Sequence, residues 1–124
     1  MSGTLLEDTV AEAFRKRGYI VFIRQNHCDI LAVRPDMFLA YLVECKDYVL
    51  SSKQQLLAVK ELNRNYTHAL ELLVQKCLCL ERILKVLVAK GFAHQARGYY
   101  STHLKPLSGT FLPKLGYNLI DYFY

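Results

Sequence analysis

Asp29-Ile30-Leu31-Ala32-Val33-Arg34-Pro35-Asp36-Met37-Phe38-Leu39-Ala40-Tyr41-Leu42-Val43-Glu44-Cys45-Lys46 is the stretch on which the fold turns. Two apolar runs, residues 30–33 and 38–43, flank Arg34-Pro35-Asp36. Proline fixes φ and removes an amide donor, so that tripeptide reverses the chain, and the apolar runs beside it are too short for helices. The spacing predicts a hairpin. The six apolar residues before Glu44 indicate a central strand buried on both faces, where an unpaired charge is costly. Residues two apart on a strand share a face, so Glu44 and Lys46 point together while Cys45 points away. Asp29 opens one strand and Glu44 closes its antiparallel neighbour, which sets the two carboxylates side by side.

Upstream, Tyr19-Ile20-Val21-Phe22-Ile23 reads as a further buried strand. Ahead of it, Leu6, Val10, Ala13 and Phe14 recur on one face of a helix over residues 4–17. Thr4 is the expected N-cap, and Arg15-Lys16-Arg17 before Gly18 suits a helix end. Downstream, Ser52-Lys53-Gln54-Gln55 has the form of a capping box, and Leu56, Val59, Lys60 and Leu62 continue a helix ending near Asn63-Arg64-Asn65. Leu70, Leu72, Leu73 and Val74 then read as a fourth strand, with a helix as the competing reading because of Glu71 and the leucine content. Leu80, Ile83, Leu84, Leu87 and Val88 fit an amphipathic helix closing at Gly91. Past residue 92, Gly98, Gly109, Gly116, Pro106, Pro113 and five tyrosines suggest loops with one terminal strand over residues 117–124. The order helix, three strands, helix, strand, helix defines an α/β fold with a mixed sheet.

The bulk properties agree with that outline. At 124 residues, 52% hydrophobic and 22% charged, the chain is expected to be one domain over residues 1–124, with a core over about 3–91 and an extension over 92–124. Sixteen Lys and Arg against 11 Asp and Glu give a net charge of +5, which suits a polyanionic partner and equally an ordinary basic protein. No leader pattern and no run approaching the ~18 apolar residues of a membrane span is present, so an intracellular, cytoplasmic protein without a membrane partner is expected. Cys28, Cys45, Cys77 and Cys79 lack paired C-x-x-C spacing and read as buried reduced thiols.

Glu7, Asp29, Glu44 and Lys46 are the residues this order of elements gathers. Magnesium prefers hard oxygen ligands and activates bound water, and two facing carboxylates repel one another unless a cation lies between them. A neighbouring lysine orients the attacking water or helps deprotonate it, and neutralises charge on a phosphate. Each residue has a plainer reading as well. Glu7 suits the N3 position of a capping box, Asp29 a strand start, and Glu44 with Lys46 a solvated strand edge. Arg24, Gln25 and His27 beside Asp29, and Lys53 and Gln54 at a helix N-terminus, are candidate DNA contacts, with a solvated turn and helix capping as alternatives.

Gly3-Thr4-Leu5-Leu6-Glu7, Val10-Ala11, Gly18-Tyr19, Cys28-Asp29-Ile30-Leu31-Ala32-Val33 and Leu42-Val43-Glu44-Cys45-Lys46 occur in this order over about residues 3–75. Together they resemble the PD-(D/E)XK nucleases, in particular archaeal Holliday-junction resolvases and restriction-endonuclease-like proteins. Cys28 stands where that motif carries proline, and Arg24-Gln25-Asn26-His27 is shorter than the Gly/Ser-rich loop of the resolvases. The resemblance implies a restriction-endonuclease-like αβββαβ core, a central mixed sheet flanked by helices. It further implies Mg2+, replaceable by Mn2+, bound by Asp29, Glu44 and the backbone carbonyl of Cys45. Lys46 would assist the water and Glu7 would complete the acidic cluster. A homodimer cutting branched DNA follows from the same likeness; the alternatives are a restriction- or repair-type nuclease on linear duplex and a non-catalytic nucleic-acid-binding module.

Overall fold

The computed structural model describes the backbone over residues 4–92 and 118–122 and the side chains over residues 5–89. Helix α1 (Thr4–Lys16) leads into β1 (Ile20–Gln25) and β2 (Cys28–Arg34). A 3-10 turn at Pro35–Met37 then opens β3 (Leu39–Leu50), and α2 (Ser52–Gln75) carries the chain to β4 (Arg82–Phe92), with β5 (Asn118–Tyr122) beyond. The strands form one mixed sheet in the order β1-β2-β3-β4-β5. Neighbours are antiparallel except β3 and β4, which are parallel because α2 returns the chain to the end from which β3 started.

Both sheet faces are covered, which explains why residues 39–45 are all buried. On one face Leu6, Val10 and Phe14 of α1 pack on Ile30, Ala32, Val43 and Val86. On the other, Leu62, Ala69 and Leu72 of α2 pack on Leu31, Val33, Leu42 and Leu87. Each such leucine contributes about 1.5–3 kcal/mol through removal from water. The hairpin expected from Arg34-Pro35-Asp36 is present, with Arg34 holding Asp36 through two hydrogen bonds of 3.0 and 2.7 Å.

Several expected elements are corrected. Helix α2 does not stop at Asn63-Arg64-Asn65, and residues 70–74 belong to it, not to a strand. Its buried Ala58, Val59, Leu62, Ala69, Leu72 and Leu73 form one stripe at helical spacing, and that packing outweighs the modest helix propensity of asparagine. Arg82–Phe92 is strand β4, and not the expected helix from about Leu80 closing at Gly91. Leu84, Val86 and Val88 face α1 while Leu87 and Ala89 face α2, and a strand apolar on both sides mimics helical spacing. The cap of α2 is Ser51, whose hydroxyl accepts from the Gln54 amide while the Gln54 side chain accepts from the Ser51 amide, one residue earlier than expected. Thr4 lies inside α1. Cys28 and Cys45 are buried thiols, whereas Cys77 and Cys79 are exposed. The expected C-terminal strand is β5, which pairs antiparallel with β4; the loop readings over residues 93–117 lie outside the described residues.

Candidate active site

The antiparallel register sets Ile30 opposite Val43, and Asp29 and Glu44 are the next residues along the two strands. On its other side, β2 pairs Cys28 with Gln25 and Ile30 with Ile23, and the ladder skips Asp29 and Arg24 between them. Arg24 has φ 52, in the left-handed region. Such a backbone in a strand re-aims the side chain and interrupts pairing. Arg24 is thereby turned onto α1, where its guanidinium donates to Glu7 Oε1 at 2.9 Å and Asp8 Oδ1 at 3.1 Å. Asp29 bonds instead to β3: its Oδ2 accepts the Cys45 amide at 2.9 Å.

Glu44 and Lys46 share the α2 face of β3, as their spacing requires. Lys46 Nζ lies 3.3 Å from Glu44 Oε2 and 3.1 Å from Glu61 Oε2, so a third carboxylate, from α2, enters the group. Burial is the main reason that the Glu44 carboxyl is pushed up to about 8, with the Asp29 charge and a hydrogen bond to Glu61 adding to the effect. Asp29 is also raised, again chiefly by burial, against the lowering influence of the Cys45 amide. For Lys46, burial favours the neutral amine, but Glu44 and Glu61 outweigh it and hold the ammonium above its ordinary range. Glu61 goes the other way: burial is overcome by hydrogen bonds from Glu44 and Lys46, and its carboxyl is lowered.

Asp29, Glu44 and Glu61 open onto a cleft of about 340 Å³ that is also lined by His27, Arg64, Asn65 and His68. Of the sequence-derived residues, Asp29, Glu44 and Lys46 are together. Glu7 reaches Asp29 electrostatically from the α1 side, with its carboxylate paired to Arg24. Among the expected DNA contacts only His27 lines the cleft. Arg24 is paired with Glu7 and Asp8, Gln54 caps α2, and Gln25 at the end of β1 and Lys53 in the first turn of α2 are exposed. Glu61, Arg64, Asn65 and His68 escaped the sequence reading. They lie on one helical stripe, a pattern visible only when α2 is carried through residues 63–65.

Among the described residues, no three or more His, Cys, Asp or Glu side chains are grouped so as to hold a metal ion. The donor chemistry at the cleft nevertheless fits a hard divalent cation: Asp29 and Glu44 offer oxygens only, both are raised toward protonation by burial, and nearby carboxylates add to this, Asp29 acting on Glu44 and Glu7 with Glu61 acting on Asp29. Comparison of the chain with family models, with curated proteins and with solved structures finds no match. No helix is long and apolar enough to cross a membrane among the described residues.

Proposed function

We propose that the chain is a metal-dependent endonuclease that hydrolyses phosphodiester bonds in DNA, with a restriction-endonuclease-like core and a branched junction as substrate. The observation that supports this most is that Asp29 and Glu44, from two adjacent strands, line one cleft as an all-oxygen acidic floor, with Lys46 Nζ 3.3 Å from Glu44 Oε2. The element order α1-β1-β2-β3-α2-β4 and the parallel β3–β4 pair accord with the αβββαβ arrangement that the motif resemblance implies.

Mg2+, or Mn2+ in its place, would supply Lewis acidity at the phosphoryl group and a water of lowered pKa. Asp29 and Glu44 would hold it. The Cys45 amide fixes the Asp29 carboxylate, so one ligand is positioned before the ion arrives. Because Glu44 and Glu61 keep Lys46 protonated, its role is to orient the attacking water and neutralise charge growing on the phosphate, not to accept a proton. Glu7, held by Arg24, keeps negative potential on Asp29 from the α1 side. A symmetric pair of subunits would deliver two related cuts to a junction.

The test is incubation with Mg2+ of a labelled four-way junction and a sequence-matched duplex. Cutting of the junction alone is expected; cutting of the duplex alone would turn the assignment to a restriction- or repair-type enzyme. Glu44→Ala should reduce cutting by at least about a hundredfold while DNA binding persists. No cutting of either substrate by the wild-type chain sinks the nuclease reading.

A further inference from the structure

The cleft has a second set of residues, separate from the carboxylate cluster, and they are nitrogen-bearing. His27 comes from the turn between β1 and β2, while Arg64 and His68 come from α2. Arg64 and His68 stand three and seven residues beyond Glu61, on the same side of the helix. Arg64 is close enough to help keep the Glu61 carboxyl low.

His27 is held there against the preference of its backbone. The two-residue turn Asn26-His27 has φ 48 and φ 67, both in the left-handed region that glycine favours. A non-glycine residue in that region costs on the order of 1 kcal/mol and persists where its surroundings hold it. Asn26 Nδ2 donates to the His68 carbonyl at 2.7 Å and lies 3.3 Å from Glu71 Oε1. Glu71 Oε1 is also 3.3 Å from His68 Nδ1, and the His27 and His68 rings stand 4.7 Å apart. The turn is thus tied to α2, and two imidazoles are set side by side at the cleft.

One cleft of about 340 Å³ therefore has an acidic floor and a wall of one guanidinium and two imidazoles. A ligand complementary to both carries anionic oxygens and brings a cation with it. We infer that His27, Arg64 and His68 form a phosphate-gripping wall that holds one backbone phosphodiester of a DNA strand next to Asp29 and Glu44. This deepens the nuclease reading and takes its choice of DNA from it.

Binding measured without catalysis separates the two. Fluorescence anisotropy of a labelled duplex and a labelled four-way junction is followed in EDTA across a salt series. Arg64→Ala combined with His68→Ala should weaken binding to both DNAs by about tenfold and flatten the salt dependence by about one unit of slope. Arg64→Lys should restore the slope, and Lys16→Ala, at the exposed end of α1, should change neither quantity. His27→Gly relieves the turn, so its melting temperature should equal or exceed that of the wild type while its affinity falls about threefold; a folded, more stable and weaker binder is a result that a merely structural histidine does not give. Inorganic phosphate at matched ionic strength should not displace the DNA, and displacement would overturn the assignment to a backbone phosphodiester. Unchanged affinity and slope in the double variant and in His27→Gly would overturn the wall, even if the wild type cuts DNA. Weakened binding in those variants upholds the wall, even if the wild type cuts nothing.

Discussion

Glu44 has the clearest solution signature of any single residue. Its folded carboxyl stands at about 8 against an ordinary 4.5, so folding retains the proton. The stability this confers is complete below the ordinary value and is lost as pH rises through about 8. Glu44→Gln removes the charge and keeps the shape. Each tenfold step in proton affinity corresponds to about 1.4 kcal/mol. After discounting for the solvent that reaches the open cleft, the variant should be more stable than the wild type by on the order of 2 kcal/mol at about pH 9, and near equal at about pH 5. Urea unfolding at the two pH values checks this, and equal stability at both would contradict the burial of a carboxyl. The wild type should bind Mg2+ more tightly as pH approaches 8, releasing a proton as it does so, which calorimetry in buffers of different ionisation enthalpy detects. Asp29→Ala leaves the Cys45 amide without the acceptor seen at 2.9 Å and should cost about 1–3 kcal/mol.

The elements show which features were legible in the sequence. The turn at Arg34-Pro35-Asp36 and the apolar runs beside it specify β2 and β3, and with them the register that sets Ile30 opposite Val43 and brings Asp29 and Glu44 to the same end of the pair. Strand alternation alone placed Lys46 with Glu44. The later elements were harder because burial on both faces erases the alternation that distinguishes a strand, as in β4, and because Asn63, Arg64 and Asn65 look like a helix stop while the stripe through Leu62, Ala69 and Leu72 passes straight over them. That continuity brings in His68, while Glu61, inside the expected helix, meets Lys46 only through tertiary packing of α2 on β3. Two substitution pairs test the corrected elements by thermal and urea melts. Ser51→Ala should cost about 1 kcal/mol by removing the cap of α2, with Ser52→Ala within about 0.5 kcal/mol of neutral. Leu72→Ala should cost about 2–5 kcal/mol as a core leucine, whereas Val74→Ala, at an exposed position, should be nearly silent.

In the whole molecule, β3 is the central strand, paired with β2 and β4 on either side, with helices over both sheet faces. The amides of β3 and β4 should exchange most slowly with deuterated solvent, with Val43, Cys45, Val86 and Val88 outlasting β1 at the sheet edge; faster exchange in β3 than in β1 would contradict the topology. Every residue assigned to the cleft, from His27 to His68, precedes the end of α2 at Gln75. Strand β4 contributes buried apolar surface and hydrogen bonds to β3, but none of the groups that line the cleft among the described residues. The residues that line the cleft and the strand that supports it thus come from successive stretches of one chain. Substitutions within β4 can therefore change how firmly β3 and α2 are braced while the side chains that line the cleft stay unaltered.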